Sequence, residues 1–430
     1  MDQSTRTPHT LHTLAAAATQ AGQAKSKSRW GARSPARTVM MAICALAAYT
    51  DCASADASVE LYGEIDTGVT YANPVLQPDG RKAGRLALTG SNVVGSFFGM
   101  RGSEDLGGGA SAIFTIEKAI DVTNGTGGDG QPMFVGLAHP AWGTMTLGLQ
   151  YDAVNDYLAP LTLTGSDGGT YFAHLFDTDN ANASVLTTNT IKWASPEWAG
   201  FRFGGQYAID PDAAGRQTWS VGGGYTNGPL NIGVSYAQYA DVASDEEPVS
   251  LIAESLAFKA SSKQGGQDFA VAHIGRRVYG AGVSYTLGDA TLGAVYTHVR
   301  YNGTASPASS SAVSPSIGTT TAAANAGIPG RVDFDNYEVN ARYDVHPAVR
   351  LSGGFTHTRG TSQAGGSTQH SAWNQVGVLA NYAMSRRTDL YVEGVYQRAT
   401  DSEETAYING VGASGSDQAS IVAMGMRHRF

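Results

Sequence analysis

The chain has 430 residues, of which 54 are Gly and 20 Tyr; only 15% are charged, and the formal net charge is −9 at neutral pH. That length excludes a single small sandwich, the acidic balance argues against a nucleic-acid surface, and beyond the N-terminal region no run of about eighteen apolar residues exists to form a membrane-spanning helix. The slightly negative mean hydropathy leaves a membrane barrel open, because strands that alternate lipid-facing and water-facing residues average to a polar sequence.

Residues 1–55 read as an export leader. Arg33 and Arg37 make a basic flank, Val39 to Ala48 an apolar core, and Ala53-Ser54-Ala55 a small-residue cleavage site. Cleavage is expected after Ala55, with Met40 or Met41 a candidate initiator; a short interfacial helix kept on the protein is the alternative. Removal would leave 22 basic against 35 acidic residues. Both cysteines, Cys44 and Cys52, precede residue 53, so the body has no disulfide framework, thiolate metal site or thiol nucleophile.

From Val59 onward the period is two. Val59, Leu61, Ile65, Val69 and Tyr71 share one face, and Glu60, Tyr62, Glu64, Asp66 and Thr70 the other, the pattern of a strand between an apolar phase and water. The same alternation returns near 92–105, 109–122, 130–138 and 143–151. After residue 186 it returns near 187–195, 200–209, 217–226, 230–240, 277–287, 290–301, 332–344, 348–359, 371–383, 387–400 and 419–430. Short turns rich in Gly, Pro, Asn and Asp alternate with long connections near 72–91, 123–129, 151–186, 210–216, 241–276, 302–331, 360–370 and 401–418. The tract Thr304 to Gly330 is low in complexity and should be mobile. An even strand count with short turns at one end and long loops at the other predicts an all-β, sixteen-stranded antiparallel transmembrane β-barrel over residues 56–430. The last segment puts Val422, Met424, Met426 and Phe430 on one face, with His428 the exception. It must pair with the first, since an open edge in lipid strands its backbone groups. Tyr71, Trp198, Phe201, Tyr285, Tyr343 and Tyr391 are among the candidates for interfacial aromatic girdles.

The stretch Tyr151 to Leu186 breaks the rhythm. It holds Asp152, Asp156, Asp167, Asp177 and Asp179 and no Lys or Arg, yet keeps Leu158, Leu161, Leu163, Tyr171, Phe172 and Phe176. Long structureless connections are uncommon in compact domains, and this one has too much apolar surface to stay dissolved. It should be an ordered acidic loop packed against something. Asp177-Thr178-Asp179-Asn180 could equally be a capped turn or a calcium site, although no complete calcium loop is present. The histidines show no metal-ligand spacing, and nothing matches a nucleophile elbow, phosphate loop or dinucleotide fingerprint. No cofactor, metal or catalytic residue is expected.

The blocks Arg101 to Gly109 (RGSEDLGGG), Ala112 to Thr115, Asp333 to Tyr343 (DFDNYEVNARY) and Arg427-His428-Arg429-Phe430 resemble the general porins of Gram-negative bacteria, the beta-proteobacterial type above all. The resemblance implies a water-filled channel in the outer membrane and a homotrimer, with small hydrophilic solutes and ions diffusing past an inward-folded third loop. The acidic stretch corresponds to that loop, which makes Asp152, Asp156, Asp167, Asp177 and Asp179 its constriction carboxylates. Three wall positions that carry arginine in the family hold Phe97, Gln131 and Leu149 here. By parity Arg101 and Glu117 face the pore, whereas simple alternation groups Leu149 with Met145 and Leu147. Loss of the basic wall predicts a shift toward cations, with Arg300, Arg342 or Arg398 as possible compensation. The alternative is a receptor or adhesion barrel with partner-binding loops. Those loops lack aromatic anchors, and no constellation supports a barrel enzyme.

Overall fold

A computed structural model of the chain describes residues 57–128, 130–209, 217–242, 269–307, 328–364, 367–400 and 405–430. The leader expected over residues 1–55 and most of the tract Thr304 to Gly330 lie outside the described residues.

β1 (Ala57–Leu76) is followed by β2, in two pieces (Lys82–Gly90 and Phe97–Gly107), then β3 (Ala110–Asp121) and β4, also in two pieces (Thr126–Gly128 and Met133–His139). Next come β5 (Gly143–Gln150), β6 (Thr187–Ala194), β7 (Phe201–Ala208), β8 (Trp219–Asn227), β9 (Leu230–Val242) and β10 (Phe269–Leu287). The set ends with β11 (Ala290–Pro307), β12 (Ile328–His346), β13 (Val349–Ala364), β14 (Ser367–Ala383), β15 (Thr388–Ala399) and β16 (Gln418–Arg429). Each pairs antiparallel with its neighbours, and β16 returns to β1 in the register Glu64↔Arg429 to Asn73↔Ser420. The result is a closed barrel of sixteen strands, as the alternation predicts.

Two features depart from that reading. The first long connection is mostly strand: β1 runs to Leu76, β2 starts at Lys82, and the turn is only the link closed by Gln77 N donating to Arg81 O at 2.8 Å. Pro74, Pro78 and Gly80 hide this in the sequence, where such residues read as a loop. Second, β2 leaves β1 over Ser91 to Ser96 and bends into the bore. The Asp66 carboxylate takes the place of the missing ladder, accepting from Val93 N at 2.6 Å and Val94 N at 3.0 Å.

The seam shows why the terminal residues have the character they do. Phe430 N donates to Gly63 O at 3.1 Å and Gly63 N to Phe430 O at 3.3 Å. Outward, Val422, Met424 and Met426 are exposed; His428, on the same face, bonds Thr388 Oγ1 at 2.9 Å. Inward, Arg427 and Arg429 lie 3.4 and 3.0 Å from Glu64, and 2.9 and 3.3 Å from Asp389. Two cations and two carboxylates thus bridge β15, β16 and β1. Tyr391 leaves the girdle: it is 2% exposed, faces inward, and donates to Asp66 Oδ1 at 2.6 Å. The phenol satisfies a carboxylate that burial would otherwise leave costly.

A Cβ at Gly63 would stand 2.5 Å from the Phe430 ring and 2.7 Å from the Phe97 carbonyl oxygen. Gly63→Ala is therefore expected to cost about 1–3 kcal/mol through overpacking, read as a lower urea midpoint for loss of the heat-modifiable folded band. An unchanged midpoint would show that the seam does not depend on this contact.

Candidate functional site

The loop between β5 and β6 lies inside the barrel. It opens with α1 (Ala153–Tyr157), where Asp152 Oδ1 accepts from Asn155 N at 3.0 Å as N-cap, an interaction worth about 1 kcal/mol. Short helical turns follow over Ala159–Leu161, Thr164–Gly168, Thr170–Phe172 and Leu175–Asp177. Its polar partners come from strands all round the bore. Ala153 N donates to Ser220 Oγ at 3.0 Å on β8, and Asp179 accepts from Thr297 Oγ1 at 2.7 Å on β11. Leu163 N reaches Glu338 Oε1 at 2.7 Å on β12, and Thr170 N reaches Asn92 O at 2.9 Å in the bend of β2. Only a segment within the lumen can touch all of these.

The apolar side chains that had to pack somewhere pack on the inner wall, and the wall is cut back to receive them. A Cβ at Gly222 would meet Tyr157 at 2.6 Å, one at Gly280 would meet Leu158 at 2.6 Å, and one at Gly377 would collide with the Phe172 ring. Inward glycines form a groove that the loop fills. Val154, Leu158, Leu161, Leu163, Tyr171, Phe172 and Leu175 are all buried there, each fully buried side chain contributing roughly 1.5–3 kcal/mol.

The five aspartates divide into two groups. Asp152, Asp177 and Asp179 are buried. Asp152 Oδ2 accepts from Asn180 Nδ2 at 2.8 Å and from the Tyr239 hydroxyl; above Tyr239, the buried Arg276 guanidinium stands 4.0 Å from the ring centroid. Asp177 accepts from Asn182 N at 2.9 Å and Ser184 N at 3.3 Å. These bonds hold Phe176, Asp177, Asn180 and Ala183 in left-handed backbone, strain of about 1–3 kcal/mol per residue that the surroundings must outweigh. Asp156 and Asp167 stay partly accessible. Asp156 pairs with Lys192 of β6 at 2.6 Å, and Asp167 lies 3.3 Å from Arg350 and 3.9 Å from Arg342.

His174 joins the loop to the wall. Its Nδ1 lies 2.6 Å from Asp179 and its Nε2 3.0 Å from Glu338, all three groups buried. Burial alone would push the imidazole down, but the flanking carboxylates outweigh it and hold the group well above its usual value. Burial likewise pushes Asp179 up; the imidazolium's charge and hydrogen bond overcome this and keep the carboxyl low. Asp177, buried beside Asp179, is pushed up to about 7. The turn Asp177-Thr178-Asp179-Asn180 is thus an internal ion-pair and capping cluster. Among the described residues no group of three His, Cys, Asp or Glu is placed to hold a metal.

The opposite wall, on β1 to β4, carries the other candidates. Phe97 packs edge-on to Tyr62 with centroids 5.7 Å apart. Arg101 stands over the Tyr62 ring and pairs with Glu60 at 2.8 Å. The Tyr62 hydroxyl donates to Glu117 Oε1 at 2.5 Å, and Tyr151 reaches Gln131 Oε1 at 3.5 Å. Leu149 does not join them: it follows the face of Leu147, while the inward residues of β5 are Thr146 and Gln150, hydrogen-bonded to each other. Arg300 and Arg398 lie on outward faces beside Asp333 and Asp417; Arg342 alone of the three candidates for compensation faces the loop. Arg276, Glu338, Asn92 and Asp66 are the site residues that sequence reasoning missed. Arg276 fell in a stretch read as loop, and Glu338 sat unremarked on a strand.

A closed transmembrane barrel with an ordered loop folded across its bore defines an outer-membrane diffusion channel. The chain belongs to the Gram-negative porin family, whose model matches residues 42–402. It is 26% identical to an outer membrane porin protein of Bordetella pertussis over 92% of this chain and 100% of that one. It is 31% identical to the major outer membrane protein P.IB of Neisseria gonorrhoeae over 44% of this chain and 52% of that protein. Among solved structures it resembles the anion-selective porin from Comamonas acidovorans, with a TM-score of 0.62 and 21% identity over 87% of this chain and 100% of that one. The trimer form of OmpT from Vibrio cholerae gives a TM-score of 0.58 and 16% identity over 87% and 99%. The protein resides in the outer membrane and is a passive channel, not an enzyme.

His174→Gln would leave Asp179 and Glu338 buried without their cation, a loss of about 3–5 kcal/mol; the expected result is a lower urea midpoint and flickering single-channel conductance at neutral pH. Because the folded His174 binds its proton more tightly, its contribution is complete below the ordinary value of 6.5 and is lost as pH rises through the raised one. Asp177 acts in an earlier window. Its raised pKa makes the folded form hold a proton that the unfolded chain releases, so stability falls as pH rises from 3.8 to about 7. Asp177→Asn should flatten that slope in denaturation midpoints measured across the same range; an unaltered slope would assign it to another group.

Proposed function

We propose that this porin passes small hydrophilic solutes and ions with a modest preference for cations, with Asp156, Asp167 and Glu117 its accessible constriction acids. The carrying observation is the scarcity, among the described residues, of free cations at the level of the loop. Phe97 and Gln131 occupy the wall, Arg101 is held by Glu60, Lys192 by Asp156, Arg342 and Arg350 lie against Asp167, and Arg276 is buried. Arg202 of β7 is the exception, an exposed inward cation toward the turn end of its strand, next to Gly204, whose Cβ would meet the Tyr157 hydroxyl at 2.7 Å. Glu117 has the Tyr62 hydroxyl but no ion-pair partner among the described residues. A unit charge about 4 Å from an ion in water is worth about 1 kcal/mol, close to fivefold in relative occupancy. The preference is small because three of the five loop carboxylates are buried and bonded internally. The Comamonas protein is anion-selective by its title; at 21% identity that likeness carries the fold and not the charge of the bore.

We also infer that residues 1–55 are removed on export and that the barrel assembles as a homotrimer, a reading supported by the leader's composition and by the trimer form of the Vibrio protein. Liposome swelling with sugars of increasing size should show passage that falls off with size. In planar bilayers under a salt gradient, the reversal potential should have the sign of cation preference. Glu117→Gln should bring it toward zero, and the pair Phe97→Arg and Gln131→Arg should reverse it. Anion preference in the unaltered protein would sink the proposal.

A further inference from the structure

One row of the inner wall runs across β1, β2 and β3 through the register Tyr62↔Gly99↔Glu117. Glu117 N, donating to Pro132 O at 3.0 Å, carries it on to β4 beside Gln131. Gly99 is the gap in that row. A Cβ there would stand 2.8 Å from Glu117 Cγ, so the missing side chain lets the Tyr62 hydroxyl cross β2 and donate to Glu117 Oε1 at 2.5 Å. Two further rings flank the same carboxylate. Phe97, two residues back along β2 on the same face, stands edge-on to Tyr62 with centroids 5.7 Å apart. Tyr151, where the interior loop begins, turns its hydroxyl to Gln131 Oε1 at 3.5 Å and lies within electrostatic reach of Glu117. Tyr62, Phe97, Glu117 and Tyr151 are all half-buried, so each presents part of its side chain to the bore.

A carboxylate set among aromatic rings suits a particular chemistry. Ring faces carry the negative part of the aromatic quadrupole and attract cations. The row already holds one example: the Arg101 guanidinium stands 4.6 Å from the Tyr62 centroid. That arginine is taken up by Glu60 at 2.8 Å, and among the described residues no cation stands over Phe97 or Tyr151. Glu117 Oε2 likewise has no hydrogen-bond donor among the described residues. A compact, strongly hydrated inorganic cation gains little from a ring face. An organic ammonium ion that carries its own aryl group gains from the carboxylate, from the ring faces and from stacking, because its charge is weakly hydrated and its ring prefers to leave water.

We propose that this row is a binding site for arylalkylammonium solutes crossing the bore, with the ammonium group at Glu117 and the ring against Phe97 and Tyr151. The inference rests on the reading of Glu117 as an accessible constriction acid and names a solute class for it. Single-channel recording of the full-length barrel in KCl, with benzyltrimethylammonium, tetramethylammonium or benzamide added, tests it. Benzyltrimethylammonium should interrupt the current at a concentration about tenfold lower than neutral benzamide, the share of the charge. It should do so at about fivefold lower than tetramethylammonium, the share of the rings. Glu117→Gln should abolish the first margin. Phe97→Leu with Tyr151→Leu should abolish the second while keeping the heat-modifiable folded band, and Phe97→Leu alone should reduce it if the pair fails to fold. Equal block by the three probes, or both margins intact in the Glu117 and ring variants, overturns the proposal. The KCl reversal potential separates it from the broader reading: anion preference with both margins present would refute cation preference and support the site, whereas cation preference with equal block would refute the site alone.

Discussion

Every amide and carbonyl that crosses hydrocarbon must find a partner inside the protein, since each one left open costs several kcal/mol. That demand makes the β1–β16 pairing the condition for everything else. A sheet of this length has to return on itself, and closure creates an interior that lipid cannot enter. Once closed, the alternation that puts Val59 and Leu61 outward puts Glu60, Glu64 and Asp66 inward. The seam adds electrostatics to geometry: Arg427 and Arg429 can meet Glu64 and Asp389 only when both edges are in register. A shift by one residue would send the arginines into lipid and the methionines into the bore.

The interior loop solves a second problem with different means. It has no ladder to satisfy its backbone, so side chains do the work. Asp66, Ser220, Glu338, Asn340 and Gln375 all reach loop backbone, or the bend that meets it, from the wall. Its carboxylates would oppose burial unless each had a partner. His174 serves Asp179 and Glu338, backbone amides serve Asp177, and Tyr239 with Asn180 serves Asp152. Charge that reads as a selectivity device in the sequence is spent largely on order. The field in the open bore is left to Asp156, Asp167, Glu117 and the few residues paired with them.

The fold was legible because period-two alternation is a local signal repeated sixteen times, and closure follows from the solvent. Strand ends near Pro74 and beyond Arg277 were not, since prolines, glycines and mixed tracts look the same in a loop and in the water-exposed end of a long strand. The loop could be recognised as packed from its leucines and aromatics. Its path could not, because the groove is made of glycines on β8, β10 and β14, and a glycine announces no partner. The roles of single aspartates were hidden for the same reason. Asp156 and Asp177 share a residue type, but Asp156 stays partly open beside Lys192 of β6, whereas Asp177 is buried with its carboxylate turned onto the amides of Asn182 and Ser184.

Arg276 and Arg277 show how far one residue of register decides chemistry. They are adjacent and identical in side chain. Arg276 points into the bore, is fully buried, and lies over the ring whose hydroxyl meets a loop carboxylate. Arg277 points out, is exposed, and pairs across the ladder with Arg300, another outward arginine. No property of arginine distinguishes them. In a barrel wall one strand thick, successive residues live in different solvents, so a function is assigned first by parity and depth, and only then by residue type.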